Sequence, residues 1–351
     1  MKMHKRTALF TLLSPLHHGS ERPEVRPEGL PKNSGENYTP HRKIPISLEL
    51  PDNTRHIVHL PAVSGNHIRH KLRELLVDPT LQILGLSRKD LSKSVLQMFT
   101  NGGGMDASDV KKNEKGNVPL LVRSRETLRA ALPPLSLFGA SYGNRMLEGL
   151  VNVGWAIPAL KETEHITGVK SEQRWNRGMT SYQILTRSDT VPDENEIANG
   201  AEEGDEEKKS RQAIYYVEVV SPGLVFTHWV EFKTYSTPIE RAALQLALDR
   251  FKDQPYLGGK SSIGQGLIST DQWYEPLDEP AKTYLQWLDK HKETIRSYIL
   301  LWDKPEELAR KDKKGVEWPA DLAQRLDDLI KEREEMIQQE LEKEVRQMAG
   351  M

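Results

Sequence analysis

The stretch from residue 237 to residue 266 constrains the fold most, because a well-marked helix leads directly into a glycine-rich loop. Thr237 can cap the helix, Pro238 suits its first position and Glu240 completes a capping box, so a helix is predicted over 237–251. Glycine adopts positive φ angles without strain and lets another segment approach closely. The loop has four glycines within nine residues, at 258, 259, 264 and 266.

The same loop contains Gly259-Lys260-Ser261, which invites comparison with a nucleotide-binding P-loop. A P-loop has a further glycine five positions before its Gly-Lys pair and follows a strand. Here that position is Gln254 and the preceding run is the predicted helix, so the P-loop interpretation fails. The loop can instead hold backbone phosphates of a polymer through its N–H groups, or it is a plain connection from helix to strand.

A second candidate element is the segment SGNHIRHKLRELL, residues 64–76. Ser64 or Asn66 can cap it, and Ile68, Leu72 and Leu76 form one apolar stripe, so it is predicted to be an amphipathic helix. A helix N-terminus offers unpaired N–H groups that suit phosphate. Further donors follow on the first three turns: Asn66, His67, Arg69, His70, Lys71 and Arg73. A solvated basic face is the alternative.

Around these two helices the pattern alternates strands and turns. Strands are expected at 6–14, within 146–160 and at 266–270, a hairpin at 46–50 with 55–60, and a second hairpin at 213–220 with 224–232 around Ser-Pro-Gly. Residues 78–120 look irregular and residues beyond 271 look mostly helical. The order predicts an α+β fold with a ferredoxin-like (RRM-like) β-α-β-β-α-β core.

Composition narrows the functional class. The net charge is −2, but residues 1–75 hold twelve Lys and Arg against seven Asp and Glu, together with eight of the eleven histidines. This basic, histidine-rich part favours an anionic partner. The chain has no cysteine, which excludes thiolate metal sites and fits a cytoplasmic location. No apolar run is long enough for a membrane span, so no membrane partner is expected.

Four motifs in the order of the chain resemble a known family: TLLSPLHHGS, LPAVSGNHIRHKLRELL, PLSLFGASYGNRMLEGLVNVGWAIP and LGGKSSIGQGLI. They are similar to motifs of the CRISPR-associated RAMP superfamily, specifically the backbone subunit (the Cas "seven" group) of multisubunit RNA-guided effectors. The resemblance covers most of 6–270 and is greatest to the type IV subunit. The sequence departs from the family's motif at two places in this segment, with Ala62-Val63 before Ser64 and with a histidine at His70. Both departures affect the contacts that the helix is expected to make.

The resemblance implies a domain organisation. A palm would comprise 1–77, 121–170 and 213–274, with a fingers insertion at 78–120, a thumb at 171–212 that carries the acidic run 193–209, and a helical extension at 275–351. Such subunits polymerise along a guide RNA (crRNA) as a helical filament, together with other Cas effector subunits. They display the guide for pairing with target DNA or RNA and read backbone shape rather than sequence.

The resemblance also assigns residues. The expected guide-RNA contacts are His18, Asn66, His67, Arg69, Lys71, Arg73, Gly258, Gly259, Lys260, Ser261, Gly264 and Gly266. The expected stacking or kinking residues of the thumb are Arg174, Trp175, Arg177, Met179 and Tyr182. In the fingers, residues 101–104 and the pair Lys111-Lys112 could touch guide or target.

Catalysis is not expected. Type III relatives cut target RNA with an Asp in the loop after the first strand, but residues 17–43 contain no Asp and the first one is Asp52. The glutamates of this loop, Glu21, Glu24, Glu28 and Glu36, look like solubilising residues. No metal or other cofactor is expected either, although His67 and His70 have a spacing compatible with metal ligation, with Glu74 one turn on.

Two further alternatives stay open. A RAMP-type processing endoribonuclease would use His17 or His18 for metal-independent cleavage of precursor RNA. The other alternative is a ferredoxin-like binding module that does not bind RNA.

Overall fold

The computed structural model describes residues 5–20, 38–49, 55–103, 125–142, 145–187, 213–233, 235–303, 310–312, 315–317 and 320–350. The strands are β1 (Arg6–Thr11), β2 (Tyr38–Thr39), β3 (Lys43–Glu49), β4 (Arg55–Pro61), β5 (Ala140–Tyr142), β6 (Arg145–Leu147), β7 (Val151–Val153), β8 (Ile157–Pro158), β9 (Thr180–Arg187), β10 (Ala213–Val220), β11 (Val225–Phe232), β12 (Arg310–Asp312) and β13 (Gly315–Glu317).

The helices are α1 (Gly65–Ile83), α2 (Lys93–Thr100), α3 (Arg125–Ala131), α4 (Pro133–Phe138), α5 (Glu164–Thr167), α6 (Pro238–Asp253), α7 (Ala281–Lys290), α8 (Lys292–Asp303) and α9 (Ala320–Met348). Short 3₁₀ turns lie at Arg88–Asp90, Lys161–Thr163, Arg177–Met179 and Ser261–Ile263. The structure is therefore mixed α+β, as predicted.

A central antiparallel sheet positions the candidate site. β11 lies between β1 on one side and β7 and β8 on the other. The opposite side of β1 is covered by the segment after the glycine-rich loop, through single bridges from Leu12 to Ile268 and from Leu9 to Gln272. The strand predicted at 266–270 is thus present only as isolated bridges, and Leu267, next to the first of them, also forms a bridge with Tyr256.

Helices α1 and α6 pack against each other and against this sheet. Phe10 of β1, Phe226 of β11, Leu72 of α1 and Leu244 of α6 are all buried in one apolar core. Full burial of a side chain of this size stabilises the fold by about 1.5 to 3 kcal/mol. The alternation of apolar residues along β1 and the stripes of the two helices therefore account for the arrangement.

Both helices begin where the sequence predicted. The Ser64 hydroxyl accepts a hydrogen bond from the backbone N–H of His67. Thr237 accepts from the N–H of Glu240, whose carboxylate in turn accepts from the N–H of Thr237. This is the predicted capping box, a feature whose loss costs about 1 kcal/mol.

The expectation that residues 78–120 are irregular is wrong for the part that the structure describes. Helix α1 continues through Pro79 to Ile83, and α2 follows with Val95 and Phe99 buried in the main core. A proline inside a helix removes one backbone hydrogen bond, and here Pro79 is accommodated within α1 and is buried. Residues 104–124 lie outside the described part.

One predicted hairpin is confirmed and one is wrong. β3 and β4 pair antiparallel, from Lys43 opposite Pro61 to Glu49 opposite Arg55. β10 does not pair with β11, although only four residues separate them. It pairs antiparallel with β9 and parallel with β2, in a separate sheet. Both neighbours of β11 are already occupied, by β1 and by β7 with β8, which leaves no edge for β10.

The C-terminal region is mainly helical, as predicted, with the small β12–β13 ladder between α8 and α9. Helix α9 buries Leu322, Leu326 and Leu329 in the main core, so its first half is packed rather than solvated. None of the described helices combines the length and apolar character needed to cross a membrane.

Candidate nucleic-acid interface

The start of α1 and the glycine-rich loop, which sequence analysis treated as separate elements, form one surface. The backbone N–H of Gly258 donates to Nε2 of His67, 2.9 Å away. The N–H of Gly259 donates to the carbonyl of His17 at 2.8 Å, so the loop after β1 lies between them. Residues almost two hundred positions apart are thereby fixed to each other.

Glycine is required at two points of this contact. Gly258 has φ = +74°, and a Cβ there would overlap the His17 carbonyl oxygen. A Cβ on Gly65, at the first position of α1, would overlap the carbonyl oxygen of Val153 in β7. The first glycine lets the loop reach the β1 segment, and the second lets the helix end reach the sheet.

Beyond Gly258 the loop presents donors to solvent. Lys260 adopts a left-handed conformation with φ = 66°, and its Nζ lies 5.8 Å from the centre of the Tyr215 ring. The 3₁₀ turn that follows carries the exposed side chain of Ser261 and ends at Gly264, also left-handed at φ = +79°. Gln265 bonds to Gln183 of β9 at 2.7 Å, so the β9–β10 hairpin flanks the loop.

Gly266 closes the loop at its base. Its N–H donates to the carbonyl of Pro15, and its carbonyl accepts from the N–H of Leu257, both at 2.8 Å. With φ = +81° and Leu257 too close for a Cβ, this position also requires glycine. Its role is to shape the loop.

Four histidines surround the contact. The His18 ring lies 4.8 Å from the His67 ring, and its Nε2 is 3.1 Å from the Ser64 hydroxyl. The His18 backbone N–H donates to Nδ1 of His41 at 3.1 Å, while Nδ1–H of His17 donates to the carbonyl of Glu218 at 2.8 Å. Each imidazole is therefore fixed by its neighbours.

These imidazoles are neutral at pH 7. Burial, and then the positive charges of neighbouring residues, lower the pKa of His18 and of His67 to about 4 and that of His41 to about 3. Burial also lowers the pKa of His17. The cluster therefore offers hydrogen-bonding geometry without charge. Within the described residues no group of three or more His, Asp or Glu could hold a metal ion.

The buried carboxylate of Glu218 was missed by sequence analysis. It accepts from the backbone N–H of His41 at 3.0 Å and from Nζ of Lys43 at 2.6 Å, and only 3% of the residue is exposed. Tyr182 lies directly opposite it on β9. Glu218 thus joins β10 to the segment before β3. In the sequence AIYYVEVV of β10, a single glutamate between two valines gives no sign that its side chain is buried.

The basic residues of α1 differ in accessibility. The exposed Asn66 side chain accepts from Nη2 of Arg69 at 2.7 Å. Lys71 is half-buried, which lowers the pKa of its ammonium group. His70 is exposed, and its Nδ1 lies 3.0 Å from the carbonyl oxygen of Thr100. Asn66 and Arg69 are therefore the accessible polar groups at the helix start.

Arg73 requires a correction, because it does not lie on the surface as expected. Its residue is 4% exposed, and Nη2 donates to the carbonyls of Phe138 and Gly139 at 2.7 and 2.9 Å. Burial lowers the pKa of its guanidinium to about 10. Gly102 lies against this guanidinium so closely that a Cβ would clash with it. Arg73 holds the fold together and is no longer a candidate for RNA contact.

The residues expected to stack from a thumb differ in how exposed they are. Arg174 is exposed, whereas Trp175 and Met179 are partly buried against the main core. Burial, and then the charge of Glu218, raise the pKa of Tyr182 to about 12. Arg177 lies in the 3₁₀ turn before β9. Stacking by this group stays a prediction.

Some expectations fall outside the described residues. These are the acidic run, Gly104, the pair Lys111-Lys112 and the glutamates between 21 and 37. Asn101, by contrast, is described and exposed.

Comparison with known proteins gives one family match and a similar solved structure. Residues 31–136 match the family model described as "CRISPR-associated negative auto-regulator DevR/Csa2". The fold is similar to a chain of a solved structure described as "Type IV-B CRISPR Complex", with a TM-score of 0.50 and 17% identity, over 81% of this chain and 98% of that chain. No curated protein matches the sequence.

The family match includes α1 and ends before the glycine-rich loop, whereas the likeness in fold extends over most of the chain. A CRISPR-associated family model thus matches part of the chain, and the fold is similar to that of a chain from a complex described as type IV-B, in agreement with the resemblance of the motifs.

Proposed function

We propose that this chain is a non-catalytic, guide-RNA-binding backbone subunit of a type IV-like CRISPR effector complex. The observation that carries the proposal is the 2.9 Å hydrogen bond between Gly258 and His67. It joins a helix N-terminus and a glycine-rich loop, the two local structures best suited to phosphate, into one surface. Phosphates of one strand could contact both.

The palm of such a subunit would be ferredoxin-like. The strand order across the central sheet is 268–272, β1, β11 and β7, with α1 connecting β1 to β7 and α6 connecting β11 to 268–272. This order and these connections support the proposal of a β-α-β-β-α-β unit. The palm, the fingers and the thumb, with the bounds given above, would have the roles that the resemblance implies.

Only a few charged side chains attract the guide RNA, because the histidines are neutral. Arg69 follows His67 by two positions in α1, Lys260 follows Gly258 by two positions in the loop, and Ser261 adds a hydroxyl donor next to Lys260. Contacts of this kind bind phosphates without reading base sequence. Sequence would be read by pairing of the guide with its target, DNA or RNA.

Assembly follows from the same role. A backbone subunit repeats along its guide, so further copies of this chain and other Cas subunits are its proposed partners. The match to a chain of a complex described as type IV-B supports such an assembly.

The geometry argues against catalysis at this surface. Glu218 is buried and paired with Lys43, so it is not free to take a proton from RNA. A general base works best with a pKa near the operating pH, and the pKa of His18 is lowered to about 4. The processing endoribonuclease remains as the alternative that the experiment below distinguishes.

The test is to express the tagged chain with its CRISPR array and partner subunits, purify it and sequence the bound RNA. We expect RNAs of uniform length that begin with repeat sequence. Random cellular RNA would contradict the proposal, and cleavage of a repeat hairpin by the purified chain in a single-turnover assay would favour the endoribonuclease.

The double variant Arg69→Ala plus Lys260→Ala tests the surface itself. We expect weaker RNA binding, and a log–log slope of affinity against salt that is smaller by about 1.4, since each lost phosphate contact removes about 0.7 for a single strand. The matched control, Lys89→Ala plus Lys331→Ala, removes two exposed charges elsewhere. Unchanged RNA content in the first variant would refute the assignment.

A further inference from the structure

A cavity of about 270 Å³ lies beside the start of α1, and no residue of the glycine-rich loop is among the described residues that line it. Asn66 and Arg69 of α1 form one wall, residues 151–155 another, and Trp229 and Lys233 complete the lining. Small-molecule sites span roughly 300 to 1,000 Å³, so this cavity is of a size for one flat ring with its substituent.

Two indoles give the cavity flat apolar surfaces. Trp155 is 37% exposed. Trp229 is held in place, because Gly154 packs so closely on its ring that a Cβ would lie 2.5 Å from it. Nζ of Lys5 lies 5.0 Å from the Trp229 ring centre. An exposed indole beside a fixed one suits an aromatic ligand, because aromatic rings stack on each other.

The cavity also carries a cation that is free for an anion. Nη2 of Arg69 bonds to the amide oxygen of Asn66, and no carboxylate in the described parts of the chain pairs with it. Lys233, the other cation, is already paired with Glu148 at 2.6 Å. An aromatic ring that bears a negative charge fits this lining best.

We infer that this cavity binds one nucleotide of a single-stranded RNA, with the base against Trp155 and a phosphate at Arg69. The inference rests on the proposed function and extends it to a base-binding site. Asn66 and Arg69 face the cavity, while His67, between them in sequence, faces Gly258. A strand crossing the end of α1 would place neighbouring nucleotides on both sides.

The experiment measures binding of a fluorescent single-stranded oligoadenylate to the purified full-length chain by anisotropy. Trp155→Leu keeps apolar volume but removes the aromatic face, and Trp155→Phe keeps an aromatic ring. Stacking of one base on an aromatic side chain is worth an amount that corresponds to about 5- to 150-fold in affinity. We expect such a loss for Trp155→Leu and less than about threefold for Trp155→Phe.

A strand of the same length with the bases removed gives the second readout. Wild type and Trp155→Leu should bind it equally, because only the base contacts the indole. Equal affinity of both proteins for the oligoadenylate, or an equal loss on the abasic strand, would overturn the base site and leave the backbone role standing. Failure of the wild type to bind any RNA would overturn the backbone role, and the base site with it.

Discussion

Helix α1 has two sides at its first turn, and they differ in chemistry although they are adjacent in sequence. On the His67 side the groups are neutral, half-buried and fixed by hydrogen bonds to the glycine-rich loop. On the Arg69 side, Asn66 and the charged Arg69 are accessible and lie next to two indoles. One side sets geometry and the other supplies attraction. A row of basic residues on a helix is therefore not one uniform basic face.

The largest effect is expected on the fixed side, at Gly258. Gly258→Ala should lower the free energy of unfolding by about 3 kcal/mol or more, because the new methyl group overlaps the His17 carbonyl at a positive φ. Gly264→Ala is the matched control, since its φ is similar but no atom of the described residues lies within 4 Å of a Cβ there; about 1 kcal/mol is expected. Urea unfolding of both variants measures the difference, and equal losses would disprove the close contact.

A second comparison separates two arginines of α1 that lie one turn apart. Arg73→Met should lower the free energy of unfolding by about 2 to 3 kcal/mol, because two buried carbonyls lose a charged donor. Arg69→Met, on the accessible side, should cost less than about 0.5 kcal/mol but weaken RNA binding. Thermal or urea unfolding together with RNA titration tests both. Similar stability losses would mean that Arg73 is not held as described.

The smallest effect expected is the dependence of stability on pH. Burial lowers the pKa of His41 to about 3 in the folded state, so the unfolded chain takes up protons first as pH falls. The contribution of neutral His41 to the free energy of unfolding is complete above about pH 6.5 and is lost as the pH falls toward 3. His41→Asn, which keeps an acceptor for His18, should reduce the loss between pH 7 and pH 5 by about 1 to 2 kcal/mol.

The control for this effect is His59→Asn, in which an exposed histidine of β4 is replaced. Urea unfolding at several pH values compares the two variants with the wild type. Parallel curves for wild type and His41→Asn would contradict the burial of a neutral imidazole.

Much of the local structure could be predicted because its causes are local. The caps at Ser64 and Thr237, the apolar stripes of α1 and α6, and the alternation in β1 are all visible in short windows of sequence. The limits are equally physical. Nothing within residues 213–232 shows that β10 pairs with β9 rather than with β11, since pairing depends on which edges other strands leave free.

The site was predicted only in part, because some of its residues come together only through tertiary packing. His67, Gly258 and Lys260 stand in recognisable motifs, whereas Glu218 and Trp229 lie in ordinary strand patterns and reach the site only through the fold. Arg73 could not be distinguished from Arg69 by sequence, because its burial depends on α4 packing over it. Residue type suggested the chemistry, but tertiary packing decided the role.

The contacts of the Glu240 carboxylate determine what a C-terminal deletion would do to this protein. It caps α6, accepts from the Ser136 hydroxyl and pairs with Arg333 of α9 at 3.0 Å, with only 1% of its side chain exposed. Deleting α9 would leave a buried negative charge without its arginine, at the start of the helix that leads to the glycine-rich loop. Loss of RNA binding after C-terminal deletion would thus reflect damage to the fold rather than removal of a contact surface.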